Sequence, residues 1–211
     1  MEKSLSIFSP ASRTAMNSAW AKSGVKPEEV YRILRIGQPG EEAMATSTSF
    51  RQWLWYIEKY RVKMGDDAIT DLQIGTMLNK KVPYLDQVTL FQSVKEQLLK
   101  QDSNLIVTML AENLQCNAFQ RLIDMNATPA RFEMMIDTPL SLLKKEDIRY
   151  RAVETFTLYF AAAKGGDAAL KQVKMLLKNN DLKAAVDAAA GFTNWFLNFS
   201  EKMWRATPTE T

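Results

Sequence analysis

The chain has 211 residues, enough for one large or two small cores, and its 46% hydrophobic and 24% charged residues are the balance of an ordinary globular protein. Its net charge of +3 comes from 27 bases and 24 acids interspersed along the chain, which leaves no electrostatic footprint for nucleic acid. One cysteine and no histidine exclude a disulfide framework within the chain, Ser-His and Cys-His nucleophile pairs, and the commonest metal ligand.

The first ten residues, MEKSLSIFSP, carry neither the apolar stretch nor the small-residue cleavage site of a secretory signal. They read either as the start of a cytosolic chain or as the start of one whose leader has been removed. From there the pattern is helical throughout, with apolar residues recurring at three and four and no β-branched runs bounded by turns. Helices are expected over 11–23, 27–36, 48–64, 67–80, 84–101, 103–125, 129–136, 147–163, 167–179 and 182–204. Pro10, Pro27, Pro83, Pro129 and Pro139 fall at boundaries, where a first helical turn tolerates proline. Thr128-Pro129 reads as an N-cap with proline at the first helical position. Gly65 before Asp66-Asp67, and Gly165-Gly166 before Asp167, each pair a helix stop with an acidic start. Residues 37–47 form the most loop-like interior stretch, and 206–211 read as a disordered tail. No segment approaches the roughly 18–20 apolar residues of a membrane span, so no membrane insertion is expected.

On the 48–64 helix, Phe50, Trp53, Leu54, Ile57 and Tyr60 follow core spacing, whereas Trp55 falls on another face. Trp55 is expected either to pack against a neighbouring module or to stand out as an anchor for a partner. The 103–125 helix carries a stripe of Val107, Ala111, Leu114, Ala118 and Leu122, with Leu105, Met109, Cys116 and Phe119 off it. A helix apolar on several sides is usually buried between layers, and this one is expected to bridge two modules. Near the C-terminus, Phe192, Trp195, Phe196, Phe199, Met203 and Trp204 are dense enough to leave an exposed face, which makes Trp195 and Trp204 further candidates for partner binding.

An internal repeat organises these elements. Trp20 stands seven positions before Pro27, and Leu122 stands seven before Pro129. Downstream, Phe50…Trp53…Tyr56 corresponds to Val153…Phe156…Tyr159, so Trp20 to Tyr56 spans 36 positions and Leu122 to Tyr159 spans 37. A second correspondence links Gly65-Asp66-Asp67-Ala68…Met77-Leu78 to Gly166-Asp167-Ala168…Leu176-Leu177. Repetition of this order implies stacked helical units that share cores with their neighbours.

Trp20-x6-Pro27-Glu-Glu-Val followed by Trp53-x2-Tyr56 resembles the WY motif of oomycete RXLR effectors, and the Leu-rich helices of 67–101 resemble the L part of their LWY repeat. The resemblance implies an all-α fold of tandem WY and LWY bundles stacked into an elongated array. It divides the chain into a WY module over 1–64, an LWY module over 65–164 and a partial L-like segment over 165–205. Trp20, Pro27, Tyr56, Leu122, Pro129 and Tyr159 would be the structural core of the motif. The second unit departs where Leu122 replaces the motif tryptophan, so its core should be smaller or filled by Phe119. The Arg-x-Leu-Arg leader is not matched, because Arg32-Ile-Leu34-Arg35 falls inside an expected helix.

Little in the sequence points to catalysis. Glu28-Glu29, Glu41-Glu42 and Asp66-Asp67 are adjacent acids, which point about 100° apart on a helix and suit helix starts better than a hydrolytic pair. There is no glycine-rich phosphate loop, no metal-ligand cluster and no cofactor motif, and Cys116 reads as a small buried hydrophobe. Lys144, Lys145, Arg149, Arg151, Lys171, Lys174 and Lys178 could form a basic face, although Glu146, Asp147, Asp167 and Asp181 interrupt it and make a solvated surface the simpler reading. The resemblance therefore implies a monomeric, non-enzymatic virulence effector. It would be secreted by the pathogen, act in the host cytoplasm or nucleus, and bind a host plant protein, with the scaffold subunit of a serine/threonine phosphatase among the targets that this module order permits. The competing reading is an intracellular helical-repeat adaptor, which would need 34- or 40-residue periods that the chain does not display.

Overall fold

The computed structural model describes residues 9–39, 43–100 and 105–191, and among them the regular structure is helical with no strand. The helices are α1 (Pro10–Lys22), α2 (Pro27–Ile33), α3 (Thr48–Met64), α4 (Asp71–Asn79), α5 (Tyr84–Lys100), α6 (Leu105–Asp124), α7 (Pro129–Met135), α8 (Ile148–Phe160) and α9 (Gly166–Lys178). A further helix, α10, is described over 182–191. Trp195, Trp204 and the other C-terminal aromatics, Glu41-Glu42 and the expected tail over 206–211 lie outside the described residues.

Local chemistry explains most boundaries. Ser9, Ser47, Thr128 and Asp147 each turn a side-chain oxygen onto a free N–H of the following first turn, and Pro10, Pro27 and Pro129 sit where no N–H is needed. The expected 67–80 helix begins only at Asp71. Asp66–Ala68 forms a short 3-10 turn, and Thr70 and Gln73 close a reciprocal capping box that fixes the start of α4. The expected 147–163 helix keeps α geometry to Phe160, then widens into a π turn over Ala161–Gly165 before Gly166 reverses the chain at φ 65°. The 27–36 helix stops at Ile33 and Arg35 adopts φ 55°, so Arg32–Arg35 straddles a helix end instead of lying within the helix.

The chain separates into two compact units, residues 1–118 and 119–211, and the division falls within α6. In the first unit α1 and α2 both pack on α3, and α4 packs on α5. Its core holds Phe50, Trp53, Leu54, Tyr56, Ile57, Ile74, Phe91 and Leu114, with Phe50 and Phe91 in ring contact at 6.4 Å. A buried polar link ties α6 to α5: the Gln115 amide donates to the Val88 carbonyl and to Gln92 Oε1, both at 3.0 Å, while Lys95 donates to Gln115 Oε1 at 2.8 Å. Gly75 on α4 lies against α6, where a Cβ would come within 2.8 Å of Asn117 Oδ1. In the second unit α7 and α9 pack on α8 around Phe119, Phe132, Phe156, Phe160 and Val173.

The stripe expected on α6 is buried at Val107, Ala111, Leu114, Ala118 and Leu122. Leu105, Ile106 and Met109 are exposed, so the N-terminal end of the helix is not enclosed on all sides.

Candidate functional site

The repeat residues come together as structure. Trp20 meets Tyr56 edge-on with ring centroids 6.0 Å apart, and Tyr56 is buried and donates its hydroxyl to the Val25 carbonyl. Trp20 itself is only partly buried. Among the described residues the fully enclosed tryptophan is Trp53, whose indole N–H donates to the Pro27 carbonyl at 2.8 Å. These two hydrogen bonds pin the α1–α2 connection, at Val25, and the buried first residue of α2, Pro27, onto α3. Burial pushes the phenols of Tyr56 and Tyr31 up from 10.0 to about 12; Tyr60 and Glu29 add smaller repulsive contributions at Tyr56.

In the second unit, Leu122 stands at the repeat position of Trp20, and it is Phe119 that makes the ring contact with Tyr159. Its ring lies 5.3 Å from Tyr159 and 5.4 Å from Phe156, while Leu122 and Pro129 are buried beside them. The Tyr159 hydroxyl contacts Gln120 Oε1 at 3.3 Å. Phe156 stands at the repeat position of Trp53, so the second unit lacks the indole N–H that donates to the Pro27 carbonyl in the first.

Trp55 lies half-buried against the first core, one wall of a groove of about 430 Å³. Lys59, one turn on, places its ammonium 4.8 Å from the indole centroid and donates to Ser18 Oγ at 3.0 Å. Lys63, a further turn on, donates to the Ala21 and Lys22 carbonyls at the end of α1, at 2.8 and 2.6 Å. Lys22, Val62 and Ile106 complete the surface. Trp55 thus has one side on its own core and the other on an open groove. The i, i+4, i+8 spacing of Trp55, Lys59 and Lys63 was visible in the sequence; the approach of Ile106 was not, because it depends on how α6 packs.

Other candidates resolve into local partners. Asp147 accepts from Arg149 at 2.8 Å, and that hydrogen bonding holds its carboxyl below the usual range. Arg151 donates to the Glu146 carbonyl at 2.7 Å and Lys145 to Asn180, whereas Lys144, Lys171, Lys174 and Lys178 are exposed. Glu28-Glu29 occupy the first turn of α2. Cys116 is partly buried, and burial, reinforced by Glu112, pushes its thiol up, away from the reactive thiolate. Among the described residues no cluster of three metal-ligating side chains occurs, and no helix is long and apolar enough to cross a membrane.

No family model matches the chain, and no solved structure matches it. Two curated proteins are similar to it. The RxLR effector protein PexRD18 of Phytophthora infestans is 30% identical over 197 residues, which is 90% of this chain and 39% of that protein. RxLR effector protein 54 of the same organism is 31% identical over 83 residues, 39% of this chain and 22% of that protein. The chain therefore spans about two fifths or less of the length of each of these relatives.

Proposed function

Because the chain belongs to the oomycete RxLR effector family, we propose that it is the host-binding part of a secreted virulence effector that acts inside plant cells. In this reading it suppresses immunity by holding a host protein in the cytoplasm or nucleus, as a monomer and without catalysing a reaction. The observation that carries the proposal is the relation to an RxLR effector over 90% of this chain. Tandem WY and LWY modules, over 1–64 and 65–164 with a partial L-like segment over 165–205, are the architecture we assign to it. The aromatic repeat supports that assignment, since Tyr56 and Tyr159 each contact an aromatic ring of the first helix of their repeat, edge-on from Trp20 and tilted from Phe119.

The motif residues hold the bundles together, so the binding surface lies elsewhere. Trp55 is our first candidate for it, with Trp195 and Trp204 as C-terminal candidates. A phosphatase scaffold subunit is the finer target that we propose from the module order. Expression of the tagged chain in leaf tissue, with affinity purification and an immune-response assay, tests the proposal. It predicts a damped response and one enriched host protein; an unchanged response with no enriched protein contradicts it.

A further inference from the structure

The groove beside Trp55 has a sign as well as a shape. Lys22, Lys59 and Lys63 line it, and among the described residues none of the three pairs with a carboxylate. Among the described residues Glu58 is the single acid on its rim, and it faces Arg61 at 3.4 Å, so its charge is met within the protein. Lys63 spends hydrogen bonds on two carbonyls yet keeps its positive charge. Between the lysines the surface is apolar: Trp55 is half-buried, while Val62 is 87% and Ile106 56% exposed. An apolar floor flanked by unpaired ammonium groups is complementary to a ligand of the opposite pattern. On the other side of Ile106 the sign reverses, because Asp66 and Asp71 lie around Arg61 there. That reversal confines an acidic ligand to the lysine side.

We propose that this groove binds an acidic amphipathic segment of the partner protein, with an aliphatic side chain against Trp55 and carboxylates against Lys22, Lys59 and Lys63. The proposal rests on the reading of Trp55 as part of the host-binding surface, and it adds the chemistry of what is bound. A volume of about 430 Å³ accommodates one or two apolar side chains, so the groove recognises a short segment rather than a whole domain face.

The test uses the full chain and fluorescein-labelled helical peptides of defined composition. One carries leucines along one face and four glutamates; a second has lysines in place of the glutamates, and a third has serines in place of the leucines. The acidic leucine peptide should bind, and the other two should bind at least tenfold more weakly. Lys22→Glu/Lys59→Glu should reduce binding at least tenfold without changing the thermal midpoint, and Trp55→Ala should do the same if it remains folded. Equal binding of the acidic and basic peptides, undiminished binding by the lysine variant, or no binding of the acidic peptide at millimolar concentration overturns the proposal. So does tighter binding of anionic vesicles or an oligonucleotide at the same lysines. Recovery of the host protein separates the two levels. If Trp55→Ala loses the host protein while Lys22→Glu/Lys59→Glu retains it, the acidic chemistry is wrong and the host-binding surface stands. If both variants retain it, the surface itself is wrong.

Discussion

Tyr56 and Trp53 each bury an aromatic body and donate their one polar hydrogen to a carbonyl at the α1–α2 junction, Val25 or Pro27, which is the condition under which such side chains belong in a core. Removing either polar handle has a measurable cost. Tyr56→Phe leaves the Val25 carbonyl without its donor and should cost about 1–2 kcal/mol in denaturant unfolding. The same residue sets an alkaline limit. Tyr31 and Tyr56 are raised from 10.0 to about 12, so the folded state favours the neutral phenol more than the unfolded chain does. That contribution is fully present below pH 10 and is lost as pH climbs to about 12. Denaturation midpoints measured across this window should fall, and the fall should be shallower in Tyr56→Phe. Gly75 provides a steric counterpart, since a Cβ there would sit 2.8 Å from Asn117 Oδ1. Gly75→Ala should destabilise by about 1–3 kcal/mol, and much of the loss should disappear in a Gly75→Ala/Asn117→Ala double variant.

At the scale of elements, the repeat is as much a way of ending a helix as a set of aromatics. Gly24 at φ 67° and Asn126 at φ 60° each terminate a helix, followed by an N–H that reaches back to the carbonyl of Trp20 or Leu122. Asn180 at φ 63° repeats the device, with the Asp181 N–H bonded to the Leu176 carbonyl. Replacing Gly24 by Val should cost about 1–2 kcal/mol, because a β-branched residue resists the left-handed region. The Leu122 position offers a sharper test. Phe119 already occupies the space beside Tyr159, so Leu122→Trp, which restores the motif on paper, should overpack the core and cost about 1–3 kcal/mol by thermal or denaturant melt.

Much of this was legible in the sequence. Prolines, glycines and acidic starts located most helix ends, and the spacing of Phe50, Trp53, Leu54, Ile57 and Tyr60 identified the buried face of α3. What could not be read depends on contacts between elements. The Thr70-x-x-Gln73 box was written in the chain but competed with the stronger signal of Asp66-Asp67. The partial exposure of Trp20 and the arrival of Ile106 beside Trp55 depend on packing rather than periodicity.

For the molecule as a whole, the proposed function asks two separate things of the same fold. Buried aromatics and shared helix ends hold each unit, while surface residues that leave the cores intact are free to define a partner. Kinship with RxLR effectors over most of the chain accords with this division of labour, as does the placement of Trp55 between its own core and an open groove. Stability and binding should therefore separate by residue. The most direct measurement is the dissociation constant of the purified chain for the host protein recovered from leaf tissue, taken for the parent and for Trp55→Ala, with a thermal melt of each. A weakening of at least tenfold with a nearly unchanged melt is the predicted result. Undiminished affinity in a folded Trp55→Ala variant would contradict the account.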